Sequence, residues 1–191
     1  MKMITILTEE YADWETALLN AVARSYYGVE TAFATPQGQP VTSSGGLHVR
    51  ADMAISEIDV SKIHALVLNG GTAWSKPDSP DLADLLQRAR QEDRVIAGIC
   101  DATKAMARAG LLDRHRHTSN SRETLLETEY AGAALYQDQA GVRDGRLVTA
   151  PGTAPVSFMT EILTALGLHD SDLDYYVGLH AAEHARTTEP A

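Results

Sequence analysis

The chain has 191 residues, 44% of them apolar, with a formal net charge of -10 and one cysteine, enough for one continuous core. An acidic balance of that size disfavours the phosphate backbone of nucleic acids and anionic membrane surfaces, so neither is expected as a partner. No apolar run is long enough to span a bilayer, and a lone cysteine forms no internal disulfide, which points to a reducing, cytoplasmic setting.

Met3–Thr8 alternates β-branched and apolar residues and reads as a first strand, not as a secretory signal. A helix follows from about Asp13, with Trp14, Ala17, Leu18, Ala21 and Val22 at helical spacing, and Gly28 ends it. Val29–Ala34 is the second strand. Pro36-Gln-Gly38-Gln-Pro40 and Ser43-Ser44-Gly45-Gly46 are turns, and the signal between Val49 and Asp59 is weak. Ala65–Leu68 is a continuous apolar run of the kind buried on both faces of a sheet. It runs into Asn69-Gly70-Gly71. Asp81–Arg90 is an amphipathic helix, with Leu82, Leu85, Leu86 and Ala89 inward. Arg94–Ile99 is another buried strand, leading directly into Cys100 and a helix over Ala102–Ala109. Thr118–Asn120 is expected to open a strand, followed by a helical stretch over Glu123–Tyr130. Further strands are expected near Ala134–Gln137 and Leu147–Ala150, the latter after an Asp144-Gly145 hairpin turn. Pro151-Gly152-Thr153 opens a helix over Val156–Leu166, ended by Gly167. A helical tail occupies about residues 170–191, polar from Arg186 onward.

Strands alternate with helices almost throughout, which argues for one domain with a mainly parallel sheet covered on both faces. Ligands of such sheets bind at the carboxyl ends of the strands. Gly70-Gly71, Cys100 and Pro151-Gly152-Thr153 all stand at strand ends, and Glu15 lies one turn into the first helix.

In Val95-Ile-Ala-Gly-Ile-Cys100-Asp-Ala-Thr103 an apolar strand breaks at a single residue and a helix of small residues begins at once. A nucleophile elbow needs that geometry, with Gly98 and Ala102 permitting the close approach. A helix N-terminus would stabilise a thiolate, so the thiol is expected below its free value of about 8.5. Asp101, if ionised nearby, would oppose that shift. A buried structural cysteine is the alternative. Asn69-Gly70-Gly71-Thr72 reads either as an ordinary turn or as a loop whose N–H groups face the site, with the Asp101 N–H as second oxyanion donor. Glu15 either complements the helix dipole or is aimed at Cys100.

These motifs resemble the ThiJ/PfpI superfamily, which is related to class I glutamine amidotransferases. The resemblance runs from about Met3 to Leu168. Its carriers are Tyr11-Ala-Asp-Trp-Glu15-Thr, Leu68-Asn-Gly-Gly71, Ala97-Gly-Ile-Cys100-Asp-Ala-Thr, Ala109-Gly-Leu-Leu-Asp113, His117-Thr-Ser-Asn120 and Asp144-Gly-Arg-Leu-Val-Thr-Ala-Pro-Gly-Thr153. It implies a flavodoxin-like three-layer sandwich with Cys100 as nucleophile. Glu15 would be an acid against its sulfur, and the Gly71 and Asp101 amides would form an oxyanion hole. Gly70, Thr72, Trp74, Thr118, Ser119, Pro151, Gly152 and Thr153 would line the pocket. Protease-like members carry a His directly after the Cys, and here that position is Asp101, which argues against a peptidase.

The expected function is a cysteine-dependent enzyme acting on a small electrophile, by amide hydrolysis or a glyoxalase-like conversion. The alternatives are an oxidative-stress sensor using Cys100 and a chaperone-like protein. A homodimer is expected and no cofactor or metal. His115 and His117 read as a solvated loop or strand start. His180 and His184 have the spacing of a two-His metal pair, with an exposed terminal helix as the plainer reading.

Overall fold

The computed structural model describes residues 1–186, with side chains as far as Ala182. In chain order the elements are β1 (Lys2–Ile6), α1 (Asp13–Ser25), β2 (Glu30–Thr35), β3 (Val41–Thr42), β4 (His48–Val49), β5 (Met53–Ala54), β6 (Ala65–Leu68), α2 (Ala83–Gln91), β7 (Val95–Ile99), α3 (Thr103–Arg108), α4 (Arg122–Leu126), β8 (Val142–Asp144), β9 (Leu147–Ala150), α5 (Pro155–Ala165) and α6 (Ser171–Arg186). Seven strands form one sheet in the order β5-β2-β1-β6-β7-β9-β8, and β3 and β4 pair as a small separate hairpin. Every pairing in the large sheet is parallel except that of β8 with β9. The architecture is the expected flavodoxin-like sandwich.

The two-residue period of the strands builds two cores. Ile4, Ile6, Leu66, Leu68 and Ile96 face α2 and α3, together with Leu85, Leu86 and Met106. Met3, Ala65, Val67, Val95, Ala97 and Val148 face α1 and α5, together with Leu19, Val22, Phe158 and Ile162. Each fully buried aliphatic or aromatic side chain here is worth about 1.5–3 kcal/mol relative to exposure.

The register positions the site. Ile6 pairs with Leu68, Leu68 with Gly98, and Ile99 with Ala150. One step beyond these pairs, β6, β7 and β9 release Asn69-Gly70, Cys100 and Pro151-Gly152 along one edge. Strand order reverses between β1 and β6, the place where sheets of this kind open a crevice.

Three expectations change. The strands expected at Thr118–Asn120 and near Ala134–Gln137 reduce to one isolated parallel bridge, His117 to Tyr136, beside a 3₁₀ turn at Ala133–Leu135. Aromatic packing replaces the ladder there, because the His117 ring stacks edge-on against both Tyr130 and Tyr136. His117 is accordingly buried, not solvated.

Helix α1 is also rotated from its expected face. Glu15, Thr16, Leu19, Val22 and Ala23 point inward, whereas Trp14 is 56% exposed. Trp14, Ala17, Leu18 and Ala21 instead wall a groove of about 860 Å³ shared with α5 and α6. The rotation follows from the site, where contacts with Gly70 and Cys100 draw the Glu15 carboxyl under the sheet edge.

Candidate active site

Cys100 has φ 58, left-handed backbone that a non-glycine residue adopts only under strain. The strain is held on both sides. A Cβ on Gly98 would run into the Met106 sulfur, so glycine lets β7 lie against α3 without displacing that side chain. After the turn, the Thr103 hydroxyl donates to the Cys100 carbonyl at 2.7 Å and shares a 2.7 Å hydrogen bond with Ser119.

Glu15 is fully buried beside it. Its placement is the work of Asn69, at the end of β6. The Asn69 amide donates to the Ala12 carbonyl at 3.1 Å and its oxygen accepts from Thr16, which fastens the first turn of α1 to the strand end. The Gly70 N–H then donates to Glu15 Oε2 at 2.8 Å. The other oxygen, Oε1, is buried with no nitrogen or oxygen partner. It faces the thiol across Gly152, because a Cβ there would lie 2.7 Å from Oε1 and 3.0 Å from Cys100 Sγ. A Cβ on Gly70 would come within 2.5 Å of the Cys100 Cβ and closer still to Oε2. Gly70 and Gly152 thus bracket the acid–thiol pair from two sides.

Burial pushes the Glu15 carboxyl up to about 7, with the Asp101 charge a smaller contributor, against hydrogen bonds from Cys100 and Gly70. Burial pushes the Cys100 thiol up as well, to about 11, with further upward contributions from Glu15. The expected lowering of the thiol is therefore not found. The helical run behind the elbow, a 3₁₀ turn over Cys100–Ala102 continued by α3, does not offset that burial. Asp101 is not the cause, since its charge acts on Glu15. The Asp101 carboxylate turns away to accept from the Ser75 hydroxyl at 2.8 Å.

The site residues read from sequence separate into two groups. Glu15, Gly70, Cys100 and Gly152 meet directly. The Asp101 N–H is directed at the Cys100 sulfur, and the Gly71 N–H meets no acceptor among the described residues. Pro151 is half-buried beside them and Thr153 exposed, while Thr72 is exposed and donates to Glu10 at 3.2 Å. Trp74, Thr118 and Ser119 do not line an open pocket. Trp74 is fully buried, with its indole N–H donating to the Asn69 carbonyl at 2.7 Å. Thr118 is buried against Thr149 and Gln139, and Ser119 braces the elbow through Thr103. Their size and polarity serve the loops from below.

Two residues without an assigned role emerge. One is Asn69. The other is Asn120, whose Nδ2 lies 3.1 Å from Cys100 Sγ and 3.0 Å from Asp101 Oδ1. Its Oδ1 accepts from the Gly152 N–H at 2.9 Å. The one signal for it was its place at the end of the His117-Thr-Ser-Asn120 motif. His180 stacks on Tyr176 in α6, and the side chains of Glu183 and His184 lie outside the described residues.

A flavodoxin-like sheet with a strained cysteine at a strand-to-helix elbow and a buried carboxyl against its sulfur defines a class of cysteine-elbow α/β proteins. The model of the DJ-1/PfpI family matches residues 1–165, and the chain belongs to that family. It is 45% identical to the DJ-1 superfamily protein Atu0886 from Agrobacterium tumefaciens, with a TM-score of 0.94 over 96% of this chain and 99% of that one. A thiJ/pfpI family protein from Bacillus anthracis is 28% identical with a TM-score of 0.85, over 94% of this chain and 89% of its own. Among curated proteins, the uncharacterized protease YdeA of Bacillus subtilis is 33% identical over 85% of this chain and 81% of its own length. Among the described residues no helix is long and apolar enough to cross a membrane.

Proposed function

We propose that the protein is a cysteine-dependent enzyme acting on a small electrophilic substrate, by amide hydrolysis or a glyoxalase-like conversion of a 2-oxoaldehyde. The observation that carries this reading is the buried Glu15 Oε1, which has no nitrogen or oxygen partner and faces the thiol. With the acid near 7 and the thiol near 11, the pair holds one shared proton between those values, and its titration belongs to the pair. As sulfur attacks a carbonyl carbon, that proton passes to the Glu15 carboxylate, and the new oxyanion falls to the Gly71 and Asp101 amides. Glu15 then returns the proton to the departing amide nitrogen. A water that gives its proton to the Glu15 carboxylate cleaves the thioester left on Cys100, releasing the acid and restoring the thiol. On a 2-oxoaldehyde, Glu15 protonates the adduct oxygen and carries the former aldehyde hydrogen as a proton from that carbon to the neighbouring one. Water cleaves the resulting thioester to the 2-hydroxy acid. No histidine is needed in this sequence of transfers.

A sensor role would draw on the same thiolate, and turnover of a small substrate separates it from the enzymatic reading. The proteases among the relatives are so named for those proteins. Here Asp101 stands where a Cys-His pair would need its base, and its carboxylate is bound to Ser75 and Asn120. We also keep the homodimer as a proposal, supported by the exposed apolar Trp14 face of α1, with the solution mass as its test. A screen of small amides, 2-oxoaldehydes and peptides against wild type and Cys100→Ala tests the main reading. Turnover of an amide or aldehyde that vanishes in Cys100→Ala supports it. Turnover that survives Cys100→Ala, or cleavage of peptides alone, overturns it.

A further inference from the structure

Among the described residues no imidazole lies against the sulfur, and beside the Asp101 N–H a developing thiolate needs a further donor from a side chain. We infer that the Asn120 carboxamide is that donor and that Asp101 is the positioning residue that aims it. The inference deepens the proposed enzymatic reading, and rests on it only for the consequence in turnover.

The orientation of the amide is specified twice. A carboxamide has an oxygen that accepts and a nitrogen with two hydrogens to donate. The Gly152 N–H can only donate, and it meets Asn120 Oδ1 at 2.9 Å. Asp101 accepts at both carboxylate oxygens, at Oδ2 from Ser75 and at Oδ1 from Nδ2 at 3.0 Å. Both contacts require the nitrogen end to face the elbow. Turning the amide over would set an oxygen against a carboxylate and a nitrogen against an N–H. With one Nδ2 hydrogen on Asp101, the second is left for Cys100 Sγ at 3.1 Å.

Asp101 is itself anchored. Its Oδ2 accepts from Ser75 at 2.8 Å, Ser75 accepts from the Lys104 ammonium at 2.9 Å, and Lys104 pairs with Glu127 at 2.8 Å. The Lys104 side chain is only 8% exposed, so this chain of contacts has little freedom to re-form elsewhere. The aspartate after the cysteine thus gains a use: it orients a neutral donor in place of supplying a base. A neutral donor stabilises the thiolate without a titration of its own.

Asn120 is open to solvent on its far side, so water replaces part of what a substitution removes, and a moderate effect is expected. The test is the pH dependence of iodoacetamide alkylation, with thiolate absorbance, on the full chain. Neither measurement needs a substrate. Asn120→Ala should raise the apparent thiol pKa by about one unit and slow alkylation about tenfold at a fixed pH below it. Asn120→Asp keeps an acceptor for the Gly152 N–H but loses the donor and adds a like charge, and should raise the thiol further. Removing Asp101 also removes a like charge, which by itself lowers the thiol. Asp101→Ala should therefore give a smaller net rise in the wild-type background and a fall in the Asn120→Ala background, where no amide is left to aim. Thermal melts confirm that each variant is folded, and Asn120→Asp serves where Asn120→Ala loosens the 151–153 loop. An unchanged thiol pKa in folded Asn120→Ala and Asn120→Asp overturns the inference, even if wild type turns substrate over. Shifted thiol pKa values in a protein with no turnover would uphold it and remove the enzymatic reading alone.

Discussion

Two titratable side chains are buried near the same edge of the sheet, and they are treated in opposite ways. His117 has both ring nitrogens satisfied. Its Nδ1 faces the His115 carbonyl at 2.7 Å, which can only accept, so Nδ1 holds the proton and Nε2 accepts from the Tyr130 hydroxyl at 3.1 Å. Two tyrosine rings pack edge-on around it. Glu15 has one oxygen satisfied and the other left facing a thiol on strained backbone. Burial alone therefore marks neither group as functional. A buried polar group whose bonds all close within the scaffold is a structural element, whereas one whose remaining partner is a thiol on positive-φ backbone carries a cost that the fold does not need.

The sharpest way to break this comparison is to remove the thiol. Cys100→Ser should lower turnover by at least about a thousandfold while the melting profile stays close to that of wild type. Equal turnover in steady-state assays would make the strained elbow a packing feature like the histidine. Next in size, Glu15→Gln should lower kcat by about 10²–10⁴-fold. Wild-type kcat should rise with pH through the acid's value of about 7, since the carboxylate form is the one that accepts the thiol proton. That limb should be absent in Glu15→Gln. A surviving limb near that pH would assign it to another group.

The structural side of the comparison makes the complementary claim. His117→Ala empties a space lined by Tyr130 and Tyr136 and leaves the Tyr130 hydroxyl without its acceptor. It should cost about 3 kcal/mol of stability in denaturant melts. The alkylation rate of Cys100 should not change. A change in that rate at constant fold would mean that the histidine belongs to the site after all.

The difference between the two regions also explains what the sequence revealed. Ala65–Leu68 and Leu147–Ala150 are strands with the expected bounds, because runs buried on both faces have no polar positions to blur them. The elbow was equally plain, since a strand that breaks at one residue into small helical residues has few other uses. The stretch from His115 to Tyr136 was misread because its order comes from rings that meet across chain separations of 13 and 19 residues, with no period to signal them. Helix α1 was misjudged by face: apolar spacing put Trp14 inside, while the bond from Gly70 to Glu15 decides the rotation. Asn69 and Asn120 stand in the motifs without a role of their own for a related reason. An asparagine in a loop looks like a turn residue until its partners, up to 57 residues away, are known.

The smallest predicted effect separates the two buried groups by the sign of a pH slope. The Glu15 carboxyl is raised from 4.5 to about 7 in the folded chain, so between those values the native state holds a proton that the unfolded state has lost. Stability from this group is complete below 4.5 and falls as pH rises to about 7, by about 3 kcal/mol in all. The His117 imidazole is lowered from 6.5 by burial, so below 6.5 the unfolded state holds the extra proton. Its stability is complete above that value and falls as pH drops toward the folded value. In wild type the two slopes oppose one another over their shared range and partly cancel. Glu15→Gln removes one of them. The variant should gain stability over wild type between about pH 5 and about pH 8, by about 2–3 kcal/mol, and little below that range. His117→Phe removes the other and should gain on wild type only as pH falls below 6.5. The remaining groups that face these two are unchanged in each comparison: Cys100 and Asp101 beside Glu15, and Asp113, His115, Tyr130 and Tyr136 beside His117. Subtracting each variant from wild type in urea melts across pH therefore isolates the one group replaced. A difference for Glu15→Gln that is flat across pH would mean that the carboxyl titrates normally, and the proton shared with Cys100 would have no physical basis.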